Sequence, residues 1–170
     1  MISESTKPVY LVDAYSDPVV VRIEGRASFL NSACLRDFMN QMLKSGKSRF
    51  VMDFLRCTSM DSTFLGVLAM IALELRKRTP KGSLVLARMG QRNLELVRNL
   101  GLHKLLTLDA TDGGVSLEGC DTALVAGDRG ELENARHVLE AHENLVTADE
   151  SNRGKFQDVL AFMKNRVEQG

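Results

Sequence analysis

The chain has 170 residues, 44% apolar and 26% charged, which is enough for one packed domain or for a small domain with an appendage. Its 22 basic and 22 acidic side chains cancel, so nothing in the charge balance points to nucleic acid or an anionic membrane as partner. The three cysteines, Cys34, Cys57 and Cys120, are odd in number and set in apolar surroundings, which predicts reduced, buried thiols and argues against a disulfide framework.

The first residues, Met1 to Lys7, lack the apolar core of a signal peptide. The longest apolar run, Phe64 to Leu73, falls well short of the ~20 residues needed to cross a bilayer, so the expected location is the cytoplasm. Pro8–Leu11 and Val19–Ile23 are β-branched runs separated by a polar, Pro-containing turn, and predict neighbouring strands. Gly25 is expected to end the second. Asn31 is a good N-cap for a helix that buries Cys34 or Leu35, Phe38, Met42 and Leu43, with Gly46 as its stop.

The stretch from Phe50 to Arg78 organises the rest. A hydrophobic strand, Phe50 to Leu55, leads through a polar connector to Asp61-Ser62-Thr63. A helix follows in which no side chain from Phe64 to Leu73 is polar. Thr79-Pro80-Lys81-Gly82 is a turn, Leu84–Ala87 a buried strand, Asn93–Leu100 a short helix stopped by Gly101, and Leu105–Leu108 another strand. Strands alternating with helices predict an α/β fold with helices packed on a mixed sheet. Residues 109–120 read as loop, and Ala123–Ala126 as a short strand. Asp128 with Glu131 has the form of a capping box, and Leu132, Ala135, Leu139, His142 and Val146 line one face of the helix behind it. After the break at Asp149–Asn152, a second helix carries Phe156, Val159, Leu160, Met163 and Val167 as its apolar stripe. The predicted division is an α/β unit over residues 1–126 and a helical hairpin over 127–170, docked on that unit or at an interface between copies.

The central stretch resembles the core motif of the STAS domain, the family that includes bacterial anti-sigma-factor antagonists. Asp53-Phe54 matches the end of the family's buried strand, Asp61-Ser62-Thr63 the start of its helix, and Leu65-Gly66-Val67-Leu68 the turn after it, with no gap from Asp53 to Leu68. Gly25 and the segment Asn93 to Gly101-Leu102 agree as well, so the resemblance spans roughly residues 8–110. Phe64 stands where the family usually has glycine, and the C-terminal helices exceed what the small antagonists carry. The resemblance implies a STAS-like mixed sheet and a non-enzymatic regulator. It implies that Ser62 is the residue phosphorylated by a partner serine kinase, with Thr63 as the alternative acceptor. The implied partners are an anti-sigma factor or related serine kinase and a serine phosphatase, met by a surface of Asp53, Asp61, Ser62, Thr63 and Phe64.

The same residues admit a plainer reading. Asp-Ser-Thr before an apolar run is what any helix start needs, so Ser62 could serve only as a cap in a constitutive scaffold subunit of a transporter or signalling assembly. The outer face of the apolar helix needs a cover, supplied by the hairpin, a partner or a second copy in a homodimer. His103, His137 and His142 lack metal-ligand spacing, and Gly113-Gly114 opens no phosphate-binding helix. No metal, cofactor or catalytic centre is expected.

Overall fold

The computed structural model describes residues 7–170; the reading of the N-terminal segment lies almost wholly outside them. Six strands, β1 Tyr10–Asp13, β2 Val19–Ala27, β3 Arg49–Met60, β4 Ser83–Ala87, β5 Thr107–Asp109 and β6 Thr122–Ala123, form one sheet in the order β5-β4-β3-β2-β1-β6. The pairs from β2 to β5 are parallel, and β1 runs antiparallel to both β2 and β6. The hairpin β1–β2 therefore makes the sheet mixed, as its short connection requires.

Strand alternation divides the sheet into two faces. Val19, Val21, Phe50, Met52, Phe54, Leu84 and Leu86 are buried in the continuous apolar core. Helices α1 (Ser32–Lys44) and α2 (Ser62–Arg76) supply Leu35, Met39, Leu65, Leu68, Ile71 and Leu75 to the same core. On the opposite face Val20, Val51 and Asp53 are buried beneath the segment 110–121. A Cβ on Gly113 of that segment would lie 2.8 Å from Val51, and the Cys120 thiol donates to the Val20 carbonyl at 3.8 Å.

Two strands run further than their local patterns suggest. β2 continues past Gly25, whose φ of +94° sits in the left-handed region where glycine carries no Cβ penalty. The β2–β3 register shifts between Arg22 and Glu24 and again between Gly25 and Arg26, then resumes with Ala27 opposite Met60. Because that ladder is available, Leu55–Met60 is strand, where a connector was expected, and Asp53 lies in the middle of β3.

Helix α3 (Gln91–Asn99) is followed by Gly101 at φ +76° and a single 3-10 turn, Leu102–Lys104. Three C-terminal helices complete the chain: α4 (Glu131–Ala148), the short α5 (Asn152–Lys155) and α6 (Gln157–Gln169). Gly130, in extended conformation, precedes α4 in place of the expected Asp128 cap; Glu131 and Glu133 in the first turn suit the positive end of the helix dipole. Phe156, Val159, Leu160, Met163 and Val167 are half-buried. α6 lies along α4, and an Arg166–Glu131 ion pair at 3.0 Å joins the end of one to the start of the other. The outer face of α2 is covered by α4 of the same chain. Among the described residues no helix is long and apolar enough to cross a membrane.

Candidate functional site at the start of helix α2

Asp61 caps α2. Its backbone is extended (φ −106°, ψ 175°), and its Oδ1 accepts the Phe64 N–H at 2.9 Å. Its Oδ2 accepts the Phe29 N–H at 2.7 Å, which ties the loop before α1 to the same carboxylate. One side chain thus satisfies a helix-end donor and fixes a neighbouring loop.

Ser62 is the first helical residue, and its hydroxyl has another task. Its Oγ lies 2.8 Å from His142 Nε2 on α4, eighty positions along the chain. His142 Nδ1 lies 2.7 Å from the Val138 carbonyl, which can only accept, so Nδ1 carries the proton and Nε2 takes the serine hydrogen. His142 is 2% exposed, and its ring meets Phe156 edge-on at 4.9 Å between centroids. A cap role for Ser62 is therefore not what this structure contains: Asp61 caps, and Ser62 anchors α4.

A second serine–histidine pair involves His137, five residues earlier on α4. Ser32 at the start of α1 is 2.8 Å from His137 Nε2, and Arg36 Nη1 is 3.0 Å from His137 Nδ1. Arginine only donates, so Nδ1 is the acceptor and Nε2–H donates to Ser32. Burial, followed by the nearby Arg36 and Arg129 charges, lowers the His137 pKa to about 4. Arg129 also reaches Asp37 at 2.7 Å.

The remaining expected residues do not form one surface with Ser62. Thr63 is buried at 4% exposure, which leaves Ser62 as the more accessible hydroxyl. Phe64 is fully buried, stacked on Tyr10 at 6.3 Å and edge-on to Phe54 at 6.2 Å. The aromatic that replaces the family's glycine points into the core, and it offers nothing to a partner in this conformation. Asp53 sits on the back face of the sheet, eight residues and so roughly 25 Å along the strand direction from Asp61. Arg88 holds it through bonds of 2.8 and 3.0 Å. Arg88 adopts φ +54°, an uncommon angle for a non-glycine residue, which the two-point carboxylate pairing helps to hold.

The histidines are what sequence reasoning missed. His142 already stood in the apolar stripe of its helix, and a titratable side chain in such a stripe calls for a buried partner. Its identity as Ser62 was not readable, because no local pattern links positions so far apart. Among the described residues no group of three His, Cys, Asp or Glu side chains could hold a metal ion. Chemically, the site presents a hydroxyl at a helix N-terminus, where unpaired N–H groups and the dipole favour negative charge, hydrogen-bonded to a buried imidazole.

A family model, STAS_2, described as the Mlab STAS domain, matches residues 11–107. Among curated proteins none matches the chain in sequence. Two solved structures of similar fold are of SpoIIAA. The anti-sigma factor antagonist in its unphosphorylated form is 18% identical, with a TM-score of 0.50 over 60% of this chain and 89% of that one. The phosphorylated form, described as a Bacillus cell fate determinant, is 19% identical with a TM-score of 0.50 over 61% and 92%.

Proposed function

The chain belongs to the STAS family, and from that premise we propose that it is a non-enzymatic cytoplasmic regulator of the anti-sigma-factor-antagonist kind. It binds an anti-sigma factor or related serine kinase through the start of α2 and is switched by phosphorylation at Ser62. The unmodified form engages the partner and so releases a sigma factor; phosphorylation ends the association, and a serine phosphatase restores it. The observation that carries this reading is the Ser62 hydroxyl at the first position of α2, directly after Asp61 and free of any capping duty. A phosphate there adds about −1.5 to −2 charges at the helix end that best tolerates them, so the fold survives and the surface changes. Phe29 and Leu30, on the loop tied to Asp61, are 46% and 74% exposed and give the surface apolar contacts.

The test is equilibrium binding of the wild-type chain, Ser62→Ala and Ser62→Asp to the candidate kinase, with intact-mass analysis for one added phosphate. Retained binding by Ser62→Ala, weakened binding by Ser62→Asp and a single phosphate lost in Ser62→Ala are expected. Equal affinities for all three, with no phosphate, would overturn the switch. One observation favours a second reading, a constitutive scaffold subunit of a transporter or signalling assembly: Ser62 already has a partner, His142, in its own chain. On that reading the serine serves assembly of the fold, and affinity is indifferent to both substitutions.

A further inference from the structure

Helix α4 rests on α2 through small and polar side chains. Its buried residues are Ala135, His137, Val138, Ala141, His142, Leu145 and Val146, and of these only Leu145 joins the continuous apolar core. The two helices approach closely at Gly66, where a Cβ would overlap the Ala141 carbonyl. Three side-chain hydrogen bonds pin the helix to α1 and α2: His142 to Ser62, and His137 to Ser32 and Arg36. Arg129 pairs with Asp37 just before it, and Asn152 ties its far end to the Leu100 carbonyl. The chain leading into α4, residues 124–130, is largely exposed, and Gly127 and Gly130 have open space around them. α6, carried on α4, contributes no fully buried residue of its own.

An interface in which two alanines and two histidines stand among Val138, Leu145 and Val146 forfeits less apolar burial on separation than one of Phe, Leu and Met throughout. Elements held by few apolar contacts open at lower free energy than the core they rest on. The glycine-flanked lead-in allows that separation without pulling on the sheet. While α4 is in place, Ser62 is partly exposed, but its hydroxyl is engaged by a histidine that is itself 2% exposed. An incoming phosphoryl group or partner side chain needs that hydroxyl to be free.

We propose that α4 and α6 form a cap closed over Ser62 by the same chain, and that Ser62 becomes available to a partner or kinase only when the two helices lift away together. The regulatory meaning rests on the reading of Ser62 given above; the cap itself does not. It is tested by thiol chemistry that needs no partner. In a chain with Cys34, Cys57 and Cys120 replaced by alanine, Ser62→Cys is labelled with a small aromatic disulfide, with and without Gly66→Ala. The added methyl forces α4 off its seat, and labelling should accelerate at least about tenfold while β2–β4 amides stay protected from exchange. Equal labelling rates would overturn the cap. If Gly66→Ala fails to fold, hydrogen exchange on the wild-type chain decides. Opening of α4 and α6 with β3 still protected supports the cap, and exchange of α4 only together with β3 refutes it. Since binding and phosphate mass report on Ser62 as a switch, and labelling on the cap, failure of either idea is seen separately.

Discussion

At the start of α2, Asp61, Ser62 and Phe64 have three different jobs, and substitution should separate them. Ser62→Ala removes the donor from a buried imidazole nitrogen, at a cost of ~1–3 kcal/mol. Asp61→Ala removes the cap, ~0.5–2 kcal/mol, and also releases the Phe29 amide, so urea melts should show a loss while the Ser62–His142 bond remains. Phe64→Ala empties a site between Tyr10 and Phe54 and should cost ~3–5 kcal/mol, the largest loss of the three. Its effect on partner affinity should then vanish once folded fractions are matched, because Phe64 is core. His137 supplies a pH dependence with a definite sign. Its pKa falls from 6.5 to about 4 on folding, so between those values the unfolded chain binds more protons. The contribution is complete above about pH 6.5 and is lost as pH falls toward 4, on the order of 3 kcal/mol in all. The groups facing His137 are Ser32, Arg36, Asp37, Arg129 and His142. A urea midpoint that falls across this range in the wild type, and falls much less in His137→Gln, is the expected result.

Among the elements, α4 is where sequence and structure meet least obviously. Its stripe of small apolar residues and histidines covers α2, and its far end is fixed by Asn152 in α5. The Asn152 amide donates to the Leu100 carbonyl at 2.9 Å and the Leu145 carbonyl at 2.8 Å, joining the end of α3 to the end of α4. Asn152→Ala should therefore cost ~1–3 kcal/mol, because two carbonyls in a buried place lose their donor. Exchange of α4 amides should rise ahead of those in β3. Deleting residues 127–170 uncovers Gly66, Val67 and Met70 on α2. The shortened chain should show a lower denaturant midpoint and a tendency to self-associate, read by light scattering. An unchanged midpoint would mean that the helices add nothing to the stability of the sheet.

For the molecule as a whole, the thiols provide a check on packing that is independent of the site. Burial raises the pKa of all three cysteines, that of Cys57 to about 11, so little thiolate exists near neutral pH. Alkylation of the native chain should be slow, with three thiols reacting in denaturant. The alternation of strands and helices, the broad apolar surface of α2 and the paired C-terminal helices were legible in the sequence, because hydrophobic period and punctuating residues act over a few positions. Asp61-Ser62-Thr63 was legible as a helix start for the same reason. Tertiary structure alone decided that β3 runs to Met60, since a strand lasts as long as its neighbour offers a ladder. It decided too that Phe64 turns inward between two aromatics and that Asp53 faces away from the site. Above all it decided that His142 meets Ser62. A helix start exposes its hydroxyl by local rules, but what lies over that hydroxyl depends on a helix that arrives eighty residues later.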